Sequence, residues 1–182
     1  MDEPRISPAE MLQYVARFKE LRGSERAFLD SRLANSRRTK INLIGMGVVE
    51  NEDDPNLRPN IPLPAHGFNL GMIIAEQGNG AALHAHKTEE VFMPLVGSWA
   101  VVWREGEAEH EIVLDPFDTI SVPVGVHRGF RYLGEGRGVL LTLIGGPDAG
   151  KVAWHPSVIE AAARTGLGID PSGRLVEFTP AE

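Results

Sequence analysis

The sequence predicts an all-β domain, an antiparallel sandwich or barrel of short strands, with short N-terminal helices and a C-terminal helical extension. Three features of the chain point there. Short strand-like runs recur at close intervals from Asn69 to Ile144, the rhythm of an antiparallel sandwich or barrel. Turn residues punctuate them, as at Glu76–Gly80, Val96-Gly97, Glu105-Gly106, Asp115-Pro116 and Gly134–Gly136. Helical spacing is confined to the two ends. The expected division is residues 1–40 as a helical segment, 41–148 as the barrel, and 149–182 as an extension packing on the barrel or on a partner subunit.

The first helix start is Ser7-Pro8-Ala9-Glu10, with serine as N-cap, proline in the first turn and glutamate completing a capping box. Met11, Leu12, Val15 and Phe18 follow at helical spacing, and Arg22-Gly23 stops the run. Phe28, Leu29 and Leu33 suggest a second short helix. Both apolar faces are expected to pack on the barrel or a neighbouring subunit. From Lys40 the pattern turns strand-like, with Ile41–Val49 as the first candidate strand. Asn51–Pro64 is crowded with Asp, Asn and Pro and reads as a loop or lid. The isolated His66 beyond it is expected to be solvated or hydrogen-bonded, not a ligand.

The strands then run Asn69–Ala75, Ala82–His86, Glu90–Leu95, Trp99–Trp103, Glu109–Leu114, Thr119–Pro123, Gly129–Leu133 and Val139–Ile144. After Gly145-Gly146-Pro147 a short helix is expected over Pro156–Arg164, closed by Gly166. A last strand-like stretch is Arg174–Phe178.

Composition narrows the chemistry. The 182 residues suffice for one domain with extensions and a core that needs no staples. With no cysteine, a metal would have to be held by nitrogen and oxygen. A net charge of −7 and scattered basic residues argue against nucleic acid, which calls for a basic stripe. Only Arg37, Arg38 and Lys40 cluster, and they read as a solvated link after a helix. The N-terminus lacks an apolar secretory region, and the longest apolar runs are too short to span a bilayer. A cytoplasmic protein without membrane or nucleic-acid partners is expected.

The most informative stretch is G-N-G-A-A-L-H-A-H-K-T-E-E-V-F-M-P-L-V-G, from Gly78 to Gly97. On a strand His84 and His86 leave the same face, and Glu90 keeps that parity. Two imidazoles and a carboxylate converging from a sheet make a divalent metal site. Glu89, of opposite parity, should point away.

This stretch resembles the first motif of the cupin superfamily, G-x5-H-x-H-x3-E-x6-G, matching at Gly78, His84, His86, Glu90 and Gly97. The second cupin motif, G-x5-P-x-G-x2-H-x3-N, is met only in part. Pro123 and Gly125 match, whereas Phe117 replaces the opening glycine, Arg128 the histidine and Tyr132 the asparagine. His127 falls one residue early. With regular alternation Arg128, Phe130 and Tyr132 share a face, and the family's register turns that face inward. An irregularity after Gly125 would turn His127 inward instead.

The resemblance implies a single double-stranded β-helix, or jelly-roll, barrel and a homodimer. It also implies one divalent transition metal (Fe, Mn, Ni or Zn) on His84, His86 and Glu90. Arg128, where the family has its fourth ligand, would clamp a substrate carboxylate or else pair with Glu90 in a metal-free barrel. Phe92, Trp103 and Tyr132, with Trp99 and Val101, would wall the pocket, unless the tryptophans simply fill the core. The expected function is a metal-dependent small-molecule enzyme, dioxygenase-like, with isomerases and decarboxylases as siblings, acting on a small carboxylated or aromatic substrate. No residue stands out as a general base. The alternative is a non-catalytic small-molecule binder or sensor.

Overall fold

The computed structural model describes residues 5–62, 67–146 and 150–180; His66 lies outside the described residues. Helix α1 (Pro8–Leu12) precedes the strands, and α2 (Pro156–Ala163) comes before the last two of them. The strands are β1 (Thr39–Ile44), β2 (Phe68–Glu76), β3 (Gly80–Ala85), β4 (Glu90–Val96), β5 (Trp99–Glu105) and β6 (Ala108–Leu114), followed by β7 (Ile120–Val122), β8 (Arg128–Tyr132), β9 (Arg137–Gly145), β10 (Ala153–Trp154), β11 (Leu167–Ile169) and β12 (Leu175–Glu177).

Two five-stranded antiparallel sheets carry the fold, in the orders β1-β2-β9-β4-β7 and β10-β3-β8-β5-β6. The chain changes sheet at nearly every turn between β2 and β9, which wraps it into a jelly roll. The cause is the period-2 pattern. Along β2, β4 and β9 buried and half-buried positions alternate, so each strand gives one face to a shared interior. Ile73, Phe92 and Leu140 from the first sheet meet Trp99, Val101 and Phe130 from the second. Gly97 has φ +68, and a Cβ there would lie 2.5 Å from the Tyr132 ring. A glycine is required at that corner so that Tyr132 can close this end of the barrel.

A second core sits against the other end. Phe28, Leu29, Val49 and Leu57 from before β2 pack on Trp154, Val158, Ala162 and Leu167 from after β9. The C-terminal extension also adds β10 to a barrel sheet, pairing with β3 at His84 and Ala85. Asn51–Pro64 was expected as a loop or lid. Its described part, to Pro62, contains a 3-10 turn at Pro55–Leu57 with Leu57 fully buried. Asn42 Nδ2 donates to the Leu57 carbonyl at 2.6 Å, so this part is docked.

Three expectations need correcting. The Ser7 capping box forms, with Ser7 N–H donating to Glu10 Oε2 at 2.7 Å, but α1 stops at Leu12. Met11, Leu12, Val15 and Phe18 remain 41–60% exposed and do not pack on the barrel. A helix this short has little stability without tertiary contacts, and none of its residues is buried. The cluster Arg37, Arg38, Lys40 is not a solvated link. Arg37 is exposed, but β1 begins at Thr39, and Arg38 and Lys40 are buried. The second helix expected around Phe28–Leu33 is a 3-10 turn, Leu29–Arg32. Among the described residues no helix is long and apolar enough to cross a membrane.

The two apolar sets should respond differently to truncation. Leu57→Ala is expected to cost about 2–5 kcal/mol in urea unfolding, and Phe18→Ala less than about 0.5 kcal/mol. Equal losses would mean that the N-terminal segment is docked in solution.

Candidate metal centre

The site is made by an irregularity in β3. Against β8, Ala81 pairs with Phe130, but His84 pairs with Arg128, a one-residue slip. Strict alternation from the inward-facing Ala81 would aim Leu83 and Ala85 into the barrel. The bulge instead hands the interior to His84, while Leu83 packs on the second core. The peptide at the bulge has lost its regular partners and finds others. Ala82 N–H donates to Asp30 Oδ2 at 2.9 Å, and the Ala82 carbonyl lies 2.7 Å from His84 Nδ1. With Nδ1–H donated there, the His84 Nε2 lone pair is free for a ligand.

His86 follows β3 at the same parity, its ring centroid 5.1 Å from that of His84. The chain then turns through Lys87–Glu89 into the opposite sheet, where Glu90 opens β4. One donor atom from each of His84, His86 and Glu90 falls within 4.8 Å of the others, and all three residues are buried, at 4–6% exposure. His86 Nδ1 has no hydrogen-bond partner among the described residues. Burial, reinforced by the nearby Arg128 charge, lowers both histidines, His86 to about 3. Both imidazoles are therefore neutral, the form that binds metal. Two neutral imidazoles, one with an orphaned nitrogen, and one carboxylate fit a divalent transition metal. Glu89 is exposed, as expected.

Arg128 faces inward at 2% exposure, and β8 is regular beside it. Its Nη2 donates to Glu90 Oε2 and its Nη1 to the His84 carbonyl at 3.0 Å. Burial pushes the Glu90 carboxyl up, and Arg128 opposes that shift. His127 turns away from the ligands and meets His155 edge to face at 5.4 Å.

A cavity of about 30 Å³ adjoins the ligands, room for about two waters. Phe28, Phe130 and Trp154 give it aromatic walls, and Arg38, Lys40 and Thr142 supply polar groups. The expected wall was different. Phe92 is sealed in the core against Phe130, at 5.2 Å between ring centroids. Trp103 stacks on His110 at 5.5 Å along the β5–β6 ladder. Tyr132 donates its hydroxyl to the Glu135 carbonyl at 2.9 Å, at the glycine-lined end. None of the three lines this cavity. Phe92 and Tyr132 stand farther along their strands than Glu90 and Arg128, whereas Trp103 is level with Arg128 and His84 but lies across the sheet toward β6. Spacing along one strand reveals neither displacement.

Buried polar residues from distant segments support the site. Asp30 accepts from Arg38 Nη1 with both oxygens at 3.0 Å. The same nitrogen reaches the Gly80 carbonyl at 2.9 Å, so this pair ties down β3 before its bulge. Glu50 accepts from Trp154 Nε1 at 2.6 Å and from Leu29 N–H at 2.7 Å. Trp154 stands across from His84 in the ladder, its ring 5.4 Å from the imidazole. Lys40 Nζ donates to Thr142 Oγ1 at 3.3 Å, and burial lowers the amine to about 8. Sequence reasoning missed these residues. For Lys40 a signal existed, because extending the first strand two residues upstream puts Lys40 and Asn42 on one face.

Burial lifts Glu50 from 4.5 to about 7 against the Trp154 and Leu29 bonds. Between those values the folded state holds a proton that the unfolded chain has released. This contribution is complete below pH 4.5 and falls away as pH rises through about 7. Unfolding free energy of the wild type should thus decline across that window by up to about 3 kcal/mol relative to Glu50→Gln. Parallel pH curves would contradict it. Asp30→Ala, which strands the buried Arg38 charge, should cost about 3–5 kcal/mol in urea unfolding.

Neither a protein-family model nor a curated protein matches the sequence, but solved structures do. The polyketide cyclase RemF from Streptomyces resistomycificus is 17% identical, over 76% of this chain and 82% of its own, with a TM-score of 0.54. An oxalate oxidase is 12% identical, over 86% and 70%, with a TM-score of 0.53. A cupin 2 domain-containing protein from Halorhodospira halophila is 15% identical, over 69% and 75%, with a TM-score of 0.49. The chain spans 48% and 57% of two oxalate oxidase chains in complex with glycolate. Identities this low speak for the fold alone. Together with the sheet order, the two matches with TM-scores above 0.5 give the chain a double-stranded β-helix, the fold class of the cupin barrels.

Proposed function

We propose that this barrel is a metal-dependent small-molecule enzyme of the cupin type, dioxygenase-like, that works on a short carboxylate. One observation carries the reading: the buried, neutral His84 and His86 beside the Glu90 carboxylate, all within reach of one ion. These three residues would hold one divalent transition metal, Fe, Mn, Ni or Zn, with coordination positions left for substrate. Such a metal supplies Lewis acidity or, as iron, activation of dioxygen.

The protein's own part is positioning and exclusion of water. Arg128 fixes the Glu90 carboxylate through Oε2, the oxygen 3.7 Å from His86 Nε2, and the Ala82 carbonyl fixes the His84 tautomer. Phe28, Phe130 and Trp154 keep the cavity apolar on their side. At about 30 Å³ the cavity has no room for an aromatic ring, and even a carboxylate of few atoms would have to widen it. We further propose a cytoplasmic homodimer, with the exposed apolar side chains at Met11, Leu12 and Phe18 available to a second copy.

A second reading, a non-catalytic small-molecule binder or sensor, is favoured by the Arg128–Glu90 ion pair. A guanidinium already neutralises the carboxylate that a dication would need.

Metal analysis of protein purified without added metal separates the two. The enzyme reading expects near one equivalent per chain, less than about a tenth of that in His84→Ala and Glu90→Ala, and no change in His127→Ala. It also expects O2 uptake with a short carboxylate. Absence of metal, with melting unchanged by chelator, favours the binder. Retention that survives His84→Ala and fails in His127→Ala contradicts the ligand assignment.

A further inference from the structure

Of the buried acidic and basic side chains around the cavity, all but one have close partners. Glu90 is paired with Arg128 and Asp30 with Arg38, and Glu50 accepts two N–H groups. Lys40 is 5% exposed, yet among the described residues no carboxylate forms an ion pair with it. Its acceptor there is the Thr142 hydroxyl, at a long 3.3 Å, although an ammonium has three hydrogens to donate. A charge taken out of water with so little in return is costly. Such a group is kept where something else completes its shell.

The sheet is built to carry this amine inward. Lys40 lies opposite Ile73 across the β1–β2 ladder, and Gly71 lies opposite Thr142 across β2–β9. To reach Thr142 the side chain passes over Gly71, where a Cβ would stand 2.6 Å from Nζ. The glycine clears the path. Beyond Thr142 the next strand is β4, whose Phe92 pairs with Thr142 and whose Glu90 pairs with Ile144. Lys40 and Thr142 therefore line the same cavity as His84, His86 and Glu90. Of the other cations near the ligands, Arg128 already donates to Glu90 and to the His84 carbonyl, and Arg38 to Asp30.

We propose that Lys40, seated on Thr142, is the anion contact of this cavity and receives the carboxylate of a small substrate whose other end lies at His84, His86 and Glu90. The substrate class is a short-chain carboxylate, whose anionic end answers an ammonium that has no carboxylate partner among the described residues. The position of the substrate's other end rests on the metal reading above; the lysine contact does not. Thr142 acts as a positioning residue by holding the amine over Gly71.

The test is thermal stabilisation of the full chain, as purified, by formate and acetate against acetamide at constant ionic strength, with metal content measured on the same samples. The wild type should be stabilised by the carboxylates and not by the neutral amide. Lys40→Met should keep the wild-type metal content and bind carboxylate at least tenfold more weakly. Lys40→Arg, which restores the charge, should recover the preference for carboxylate over amide. Thr142→Val should lose less affinity than Lys40→Met. Undiminished carboxylate binding in Lys40→Met overturns the proposal. Should Lys40→Met not fold, Lys40→Gln takes its place, and equal responses of the wild type to acetate and acetamide overturn the proposal without any variant. Metal-free wild type that still prefers carboxylate through Lys40 refutes the metal reading and leaves this one standing.

Discussion

The molecule is organised by the need to neutralise charge in an interior that holds little water. Glu90, Arg128, His84 and His86 meet where the chain crosses from one sheet to the other, all of them buried. A lone carboxylate there would be strongly disfavoured. Arg128 makes it tolerable, and deprotonated imidazoles add no charge of their own. The same accounting recurs outward, with Asp30 against Arg38 and Glu50 against two N–H donors. Lys40 is the cation left over: among the described residues it has no carboxylate at ion-pair distance and only the Thr142 hydroxyl as acceptor.

Geometry follows from that constraint through backbone detail. The bulge in β3 turns His84 inward, and its freed peptide groups are taken up by Asp30 and by the imidazole itself. Asp30 is in turn held by Arg38. The ligand face is thus set by a segment preceding β1, and its outer flank by Trp154 from the strand after β9. This is why the two ends of the chain form a core of their own under the site. They brace the bulge, and a bare barrel would lack that brace.

Much of this was legible in the sequence because it depends on short spacing. Period-2 alternation marked the strands of the barrel, and the run from Gly78 to Gly97 put two histidines and a glutamate on one side. Arg128 faces inward as the alternation required, since β8 carries no irregularity. The unread part depends on distance. Phe92, Trp103 and Tyr132 have inward parity, but how far each sits from the ligands is fixed by strand tilt and sheet packing. Asp30, Glu50 and Trp154 are brought together by the packing of both chain ends, which no local pattern encodes. Lys40 was obscured by Arg37 and Arg38, which made a buried strand residue look like part of a charged surface.

The central claim is that an interior built around compensated charge holds one ion between two sheets. Anomalous diffraction from crystals grown with manganese tests it most directly. The account predicts a single peak per chain with two imidazole nitrogens and the Glu90 carboxylate oxygen at about 2.0–2.2 Å, and Arg128 still against Glu90. A peak elsewhere, or none while Arg128 and Glu90 remain paired, would contradict it.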